Sequence, residues 1–297
     1  MLNQDFFHLE GKMQFLIYFL IVACAGTQSA MTKLYGKKGE SPAVFNALKA
    51  TSALVLFALM AIIGFRFHLP TVLFGLGYGA CLCLSMHAGY KALCLGPMAL
   101  TSMLASFSIV IPLLFGIAVW NEKINLMKGI ALVLLVFAIL MTNADKLKKG
   151  GKAEGHYALW LIFIALTFLC NGFGSVIQKQ YQNLYPDAHN REFMLFAMLL
   201  CSVVFTAIAL TKAKPKEILA TKGKRFGLIS GITNGLVSFF TLGLAGLENA
   251  TVLFPIISAG TIMAALFCGR FVFKEKLKTH HYLALASGIL AVILLKL

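Results

Sequence analysis

A chain of 297 residues that is 59% hydrophobic and only 12% charged, with a mean hydropathy of +0.84, has too little polar side chain to cover a soluble globule. Its formal charge of +15, from 26 Lys and Arg against 11 Asp and Glu, would suggest nucleic acid in a soluble chain. In a chain made for the bilayer the same excess reports orientation and contact with anionic lipid, so no nucleic-acid partner is expected.

A bilayer core takes about 20 apolar residues per helix. Ten runs of that kind follow one another, near 14–35, 43–64, 71–94, 98–119, 126–143, 157–179, 192–211, 226–246, 250–271 and 281–296. They are too long and continuous for strands and lack period-2 alternation, so the predicted fold class is an all-α polytopic membrane protein. Short connections leave no room for a soluble domain. The first run is not a cleaved leader, because it is long, carries Gln28 and Lys33 late, and recurs inside the chain. All seven cysteines fall in apolar runs, and Cys81-Leu82-Cys83 has the wrong spacing for a tetrahedral metal clip. No metal or cofactor is expected.

The chain also repeats itself. Span one contains Cys24, Gly26, Ser29, Lys33 and Tyr35, and span six repeats them without a gap as Cys170, Gly172, Ser175, Lys179 and Tyr181. Span three opens with Gly75 and Gly79, span eight with Gly227, Gly231 and Gly235, small residues four apart that let helix backbones approach closely. The apolar helix from Pro112 ends at Asn121-Glu122-Lys123, and Lys274-Glu275-Lys276 echoes that ending. Each ending precedes one last apolar run, Ile130–Met141 and Leu283–Leu295. The chain thus reads as two five-helix repeats, 13–145 and 156–297. An odd number of spans per repeat inverts the second relative to the first, an architecture typical of secondary transporters.

Lys and Arg collect on the cytoplasmic side of membrane proteins. Fifteen lie in the odd-numbered connections, including Lys146, Lys148, Lys149, Lys222, Lys224 and Arg225, against six on the other face, which predicts both termini outside. Leu95-Gly96-Pro97 joins spans three and four as a helix stop and start. The equivalent turn, Gly246 to Asn249, offers Asn249 as N-cap. Glu122 and Glu275 read as helix terminators and loop anchors at the interface, still in contact with water.

Polar side chains deep in a span need a reason. Gln28, Ser29, Asn46, His87 and Ser106 qualify in the first half, and Asn171, Ser175, Asn234, Ser238, Ser258 and Thr261 in the second. A Ser or Thr alone favours a bond to its own helix backbone. Gln28, His87, Asn171 and Asn234 suit either a substrate cavity or an interhelical hydrogen bond. Lys33, Lys91, Lys179 and Arg270 lie close enough to the helix ends to snorkel out. Lys49 sits roughly 9 Å inside span two at 1.5 Å per residue, where it would bias a cavity toward anionic groups. No Asp or Glu falls mid-span, which argues against a cation/proton antiporter and for a neutral, zwitterionic or anionic solute. An intramembrane enzyme would need a nucleophile with its base, paired carboxylates or a metal cluster at depth, and none is legible, so the chain is not expected to be an enzyme.

The tandem halves, Tyr90-Lys91-Ala92-Leu93 at the end of span three, Pro112 ten residues before Glu122, and the Glu-Lys endings before each last helix resemble the drug/metabolite transporter superfamily, EamA-like branch. The resemblance covers almost the whole chain. The second half departs from it in having no proline ten residues before Glu275, although Pro255 lies earlier. It implies a ten-helix carrier with a central cavity lined by spans one, three, four, six, eight and nine, and efflux of small metabolites. The expected protein is an exporter of an amino acid or similar solute in a prokaryotic plasma membrane, able to act as a monomer and bordered by anionic lipid on its cytoplasmic face. A nucleotide-sugar or sugar carrier, a channel or a scramblase are the competing readings.

Overall fold

The computed structural model describes residues 11–36, 41–62, 64–95, 105, 107–142, 157–186, 189–211, 223–272, 274 and 279–296. Every regular element among them is helical. In order they are α1 (Gly11–Gly36), α2 (Pro42–Ile62), α3 (Leu69–Leu95), a 3₁₀ turn (Phe107–Ile109) running into α4 (Val110–Ala118), and α5 (Leu126–Thr142). Then come α6 (Tyr157–Leu184), α7 (Asn190–Leu210), α8 (Lys224–Leu247), α9 (Ala250–Phe271) and α10 (Thr279–Lys296). Seven of these, α1–α3 and α6–α9, are long and apolar enough to cross a membrane, while α4, α5 and α10 belong to shorter apolar stretches. Gly96, Pro97, Ser106, Glu275 and most of the basic loop residues lie outside the described residues, as does the side chain of Lys33.

Large apolar side chains point outward, with Leu126, Ile62 and Phe15 about three-quarters exposed at 79%, 76% and 74%. Gln178, Gln182 and Glu192 are buried. Such a pattern is the reverse of a water-soluble surface and suits a protein solvated by lipid.

The chain forms two compact units, Met1–Cys83 with Ile177–Leu247 and Leu84–Val176 with Glu248–Leu297. Each draws on both halves of the sequence. In the first, the two predicted glycine ridges are the seams. A Cβ at Gly75 or Gly79 would stand 2.6 Å from the carbonyl oxygen of Phe193 or 2.7 Å from that of Ala197, so α3 lies backbone to backbone on α7. Likewise Gly227, Gly231 and Gly235 of α8 meet Leu48, Lys49 with Ser52, and Phe57 of α2. Around these seams Phe57, Tyr78, Tyr181, Phe193 and Phe239 form a buried aromatic core, with Tyr181 and Phe193 4.8 Å apart.

In the second unit α5 lies along α10, and α9 packs on α4, α5 and α10. Ala131 and Ala138 of α5, and Ala284 and Ala291 of α10, are fully buried at seven-residue spacing, small enough for close approach. Helix α3 ends in this unit beside α6, where Ala92 packs on Trp160 and Ile164.

Asn121 and Lys274, the residues before the two repeated glutamates, adopt left-handed conformations with φ of 53° and 54°. Glycine enters that region freely, Asn tolerates it, and a long side chain is strained there. Lys274→Gly is therefore expected to raise stability by about 1 kcal/mol and Asn121→Gly by less. Thermal unfolding in detergent checks this, and a loss in both variants would contradict it.

Candidate functional site

Within the first unit, polar side chains of α1, α3, α6 and α8 meet along one side of α8. Gln28 Nε2 donates to Asn234 Oδ1 at 3.0 Å, joining α1 to α8. One turn on, Ser238 Oγ accepts from Tyr78 Oη at 3.2 Å while its carbonyl accepts from Gln178 Nε2 at 3.2 Å. Small residues make room for this ladder, because Gly235 lies between Asn234 and Ser238 and sets α8 against Phe57. Neutral amides and hydroxyls that satisfy one another in a low-dielectric interior can exchange those bonds for bonds to a neutral or zwitterionic solute at little net cost.

Lys49 adds the one candidate charge. It is half-buried in α2, and its carbonyl accepts from Ser52 Oγ at 3.1 Å. Among the described residues no carboxylate pairs with it. Asn46, one turn earlier on α2, is half-buried.

The remaining predicted positions fall into local roles or into the second unit. Ser29 Oγ bonds the Ala25 carbonyl at 2.9 Å, and Ser175 Oγ the Asn171 carbonyl at 3.3 Å, the helix-backbone option expected of isolated serines. Asn171 is half-buried and accepts from Ser85 Oγ of α3. His87 is exposed, and half-buried Ser258 accepts at its carbonyl from Thr261 Oγ1 at 2.8 Å. The structure thus joins Gln28 to Asn234 and places Ser238 on the same side of α8. His87, Asn171, Ser175 and Ser258 belong to the other unit.

Two sequence expectations need correction. Lys179 does not snorkel; it is buried, and its Nζ donates to the Ala245 carbonyl at 2.8 Å in the last turn of α8, where a cation is favoured. Glu122 anchors a loop as expected but is not at a wet interface. It is buried, and its Oε1 and Oε2 accept from the backbone N–H groups of Ala250 and Thr251 at 2.7 and 2.8 Å. Asn249 occupies the N-cap position of α9 without a side-chain cap bond, because Glu122 has taken that role. Gly116 makes the seat, since a Cβ there would stand 2.8 Å from Glu122 Oε2.

Sequence reasoning missed Tyr78 and Gln178, whose types are unremarkable in a helix. It also missed a polar cluster at the α6–α7 turn, comprising His68, Thr71, Tyr181, Gln182, His189, Asn190 and Glu192. The spacing of His189 and Glu192, one helical turn apart, was the available signal.

No family model matches the sequence, and no curated protein matches it. Among solved structures 28 chains match. One, described only as a crystal structure of a protein, superposes with a TM-score of 0.74 over 95% of this chain and 96% of its own, at 15% identity. At that identity the likeness is one of fold alone.

Proposed function

We propose that this protein is a secondary transporter of the EamA-like branch of the drug/metabolite transporter superfamily. In this reading ten membrane helices form two inverted five-helix repeats, with both termini outside a plasma membrane. They export a small organic solute, an amino acid or a similar neutral, zwitterionic or anionic metabolite, by alternating access and without enzymatic chemistry.

The observation that carries the reading is a reciprocal pairing. The glycine ridge of α3, third helix of the first half, seats on α7, second helix of the second half; the ridge of α8 seats on α2. The left-handed residues before Glu122 and Glu275 match in the same register. Twofold-related halves that exchange partners in this way are what an inverted-repeat carrier requires. The solute class follows from the side chains. Gln28, Asn234, Tyr78 and Ser238 offer neutral hydrogen-bonding groups, Lys49 a cation, and of the two buried carboxylates among the described residues Glu122 is tied to the first backbone N–H groups of α9 and Glu192 to that of Arg66 between α2 and α3.

Liposome counterflow across amino acids, organic acids, sugars and organic cations tests it. Gln28→Ala and Asn234→Ala are each expected to lower exchange of the best solute about tenfold, the value of one hydrogen bond to substrate. Lys49→Ala should hit carboxylate solutes hardest. Equal exchange in all three variants would remove the assigned site, and movement of organic cations alone would remove the solute class.

A further inference from the structure

In the first unit α3 and α7 run in one direction and in constant register. The Cβ positions of Gly75 and Gly79 meet the backbone of Phe193 and Ala197, and Cys83 Sγ meets Cys201 Sγ at 3.2 Å; in each pair the partners are 118 residues apart in sequence. Steps of four residues keep to one face of a helix, so a fixed offset at successive steps means two parallel helices laid face to face. Gly75, Gly79 and Cys83 on one side and Phe193, Ala197 and Cys201 on the other are the rungs of a single seam. Its third rung is a pair of thiols.

Each thiol is held toward the other. Cys83 S–H donates to Cys201 Sγ, and Cys201 S–H donates to the Gly79 carbonyl at 3.5 Å. Beside Cys201, the hydroxyl of Ser202 bonds that of Thr51 of α2 at 3.1 Å, which holds α7 from another side. Cys81, two residues before Cys83, lies about 200° round α3 and takes no part in the rung.

A disulfide requires Cα atoms about 4.4–6.8 Å apart and an S–S bond of about 2.05 Å. Side chains of ordinary size hold helix backbones too far apart for that. Gly79 removes the obstacle one turn before Cys83, where a Cβ would stand 2.9 Å from Ala197 Cα. The two sulfurs then need to close by about 1 Å, a matter of side-chain rotation with both helices in place. Surroundings select the reagent. The two cysteines are 7% and 1% exposed and lie well inside the apolar stretches Leu69–Gly89 and Asn190–Leu210, a depth that charged thiols and disulfides of the aqueous phase do not enter.

We propose that Cys83 and Cys201 form an oxidation site, at which hydrogen peroxide, a small neutral oxidant, closes a disulfide that staples α3 to α7. The Cys83 sulfur attacks one peroxide oxygen, the O–O bond breaks, and the thiol proton leaves with the departing hydroxide as water, giving a sulfenic acid. The Cys201 sulfur then attacks the Cys83 sulfur. The S–S bond forms, the S–O bond breaks, and the Cys201 proton leaves with the hydroxide as a second water. Two thiols lose two electrons and two protons, and one peroxide becomes two waters. Contact between the sulfurs makes the second step intramolecular, so the disulfide forms ahead of further oxidation of Cys83. Tyr78 lies on the stapled stretch of α3, so the link also fixes the helix that carries a donor to Ser238. This site goes beyond the transporter reading and does not depend on it.

The test treats the purified full chain in lipid nanodiscs with hydrogen peroxide, then unfolds it, counts thiols by alkylation and maps the unreduced peptides. The wild type is expected to fall from seven thiols to five, with one linked peptide holding Cys83 and Cys201. Its melting temperature should rise by roughly 5–10 °C, because the link closes a long loop in the unfolded chain. A lipid-soluble phosphine should reverse both changes. Cys83→Ala and Cys201→Ala, tested separately so that either one suffices if the other fails to fold, should keep all six remaining thiols and show no rise. A wild type that keeps seven thiols overturns the proposal, as does loss of thiols to sulfinic or sulfonic acid without the linked peptide. A linked peptide with an unchanged melting temperature refutes the staple.

Discussion

Gly231→Ala is expected to destabilise the protein by about 2–4 kcal/mol, although alanine is the better helix former by about 1 kcal/mol. Gly129→Ala, on α5, is expected to do the opposite and add up to that 1 kcal/mol. The contrast comes from what the new methyl group meets. At Gly231 it would stand 1.9 Å from Ser52 Oγ and 2.1 Å from the Lys49 carbonyl oxygen, whereas at Gly129 nothing lies within 4 Å. Ser52 cannot simply turn aside, because its hydroxyl spans the seam to the Leu228 carbonyl at 3.0 Å. The helices must move apart, and the contacts of Gly227 with Leu48 and of Gly235 with Phe57 go with them. Thermal unfolding of the two variants in one detergent reads the difference; a Gly231→Ala protein as stable as Gly129→Ala would mean that α2 and α8 are not in backbone contact.

That seam was legible in the sequence and its partner was not. Gly227, Gly231 and Gly235 mark a face by their spacing alone, but nothing in a glycine ridge says which helix fills it. The answer, α2 for this ridge and α7 for that of α3, depends on complementary bulk at Leu48 and Phe57, residues without any pattern of their own. Gln28 and Asn234 could be singled out one by one because amides are rare at depth, yet their bond spans 206 residues and only the fold pairs them. Glu122 misled for another reason. A run of apolar residues ends at its first charge, so Glu122 reads as the place where the membrane stops and water begins. In the folded chain it is buried against the N-terminus of α9, where backbone N–H groups replace water as hydrogen-bond donors. Charge marks where a helix ends, not whether the end is wet.

Glu122 therefore carries the second large effect. Helix α9 begins with its first N–H groups unpaired within the helix, and the burial of Ala250 and Thr251 keeps water from reaching them. Pro255 weakens the same turn, since a proline supplies no N–H for the carbonyl four residues before it, that of Thr251. Glu122 answers with both oxygens, and hydrogen bonds to a charged acceptor are worth about 1.5–3 kcal/mol each. Glu122→Ala is expected to cost about 3–5 kcal/mol, a large share of the stability of an ordinary protein. Glu122→Gln keeps one acceptor oxygen and turns the other end into a donor facing the Thr251 or Ala250 N–H, so it should recover less than half of that loss. Glu122→Asp keeps the charge but shortens the reach, and falls between the wild type and Gln. Gly116→Ala should resemble the weaker of these variants, because its methyl group would displace the carboxylate from its seat 2.8 Å away. The measurement is the order of melting temperatures: wild type above Asp, Asp above Gln, Gln above Ala. If Gln matched the wild type, the carboxylate charge would have no part in holding α9, and the loop after α4 would owe its position to packing alone.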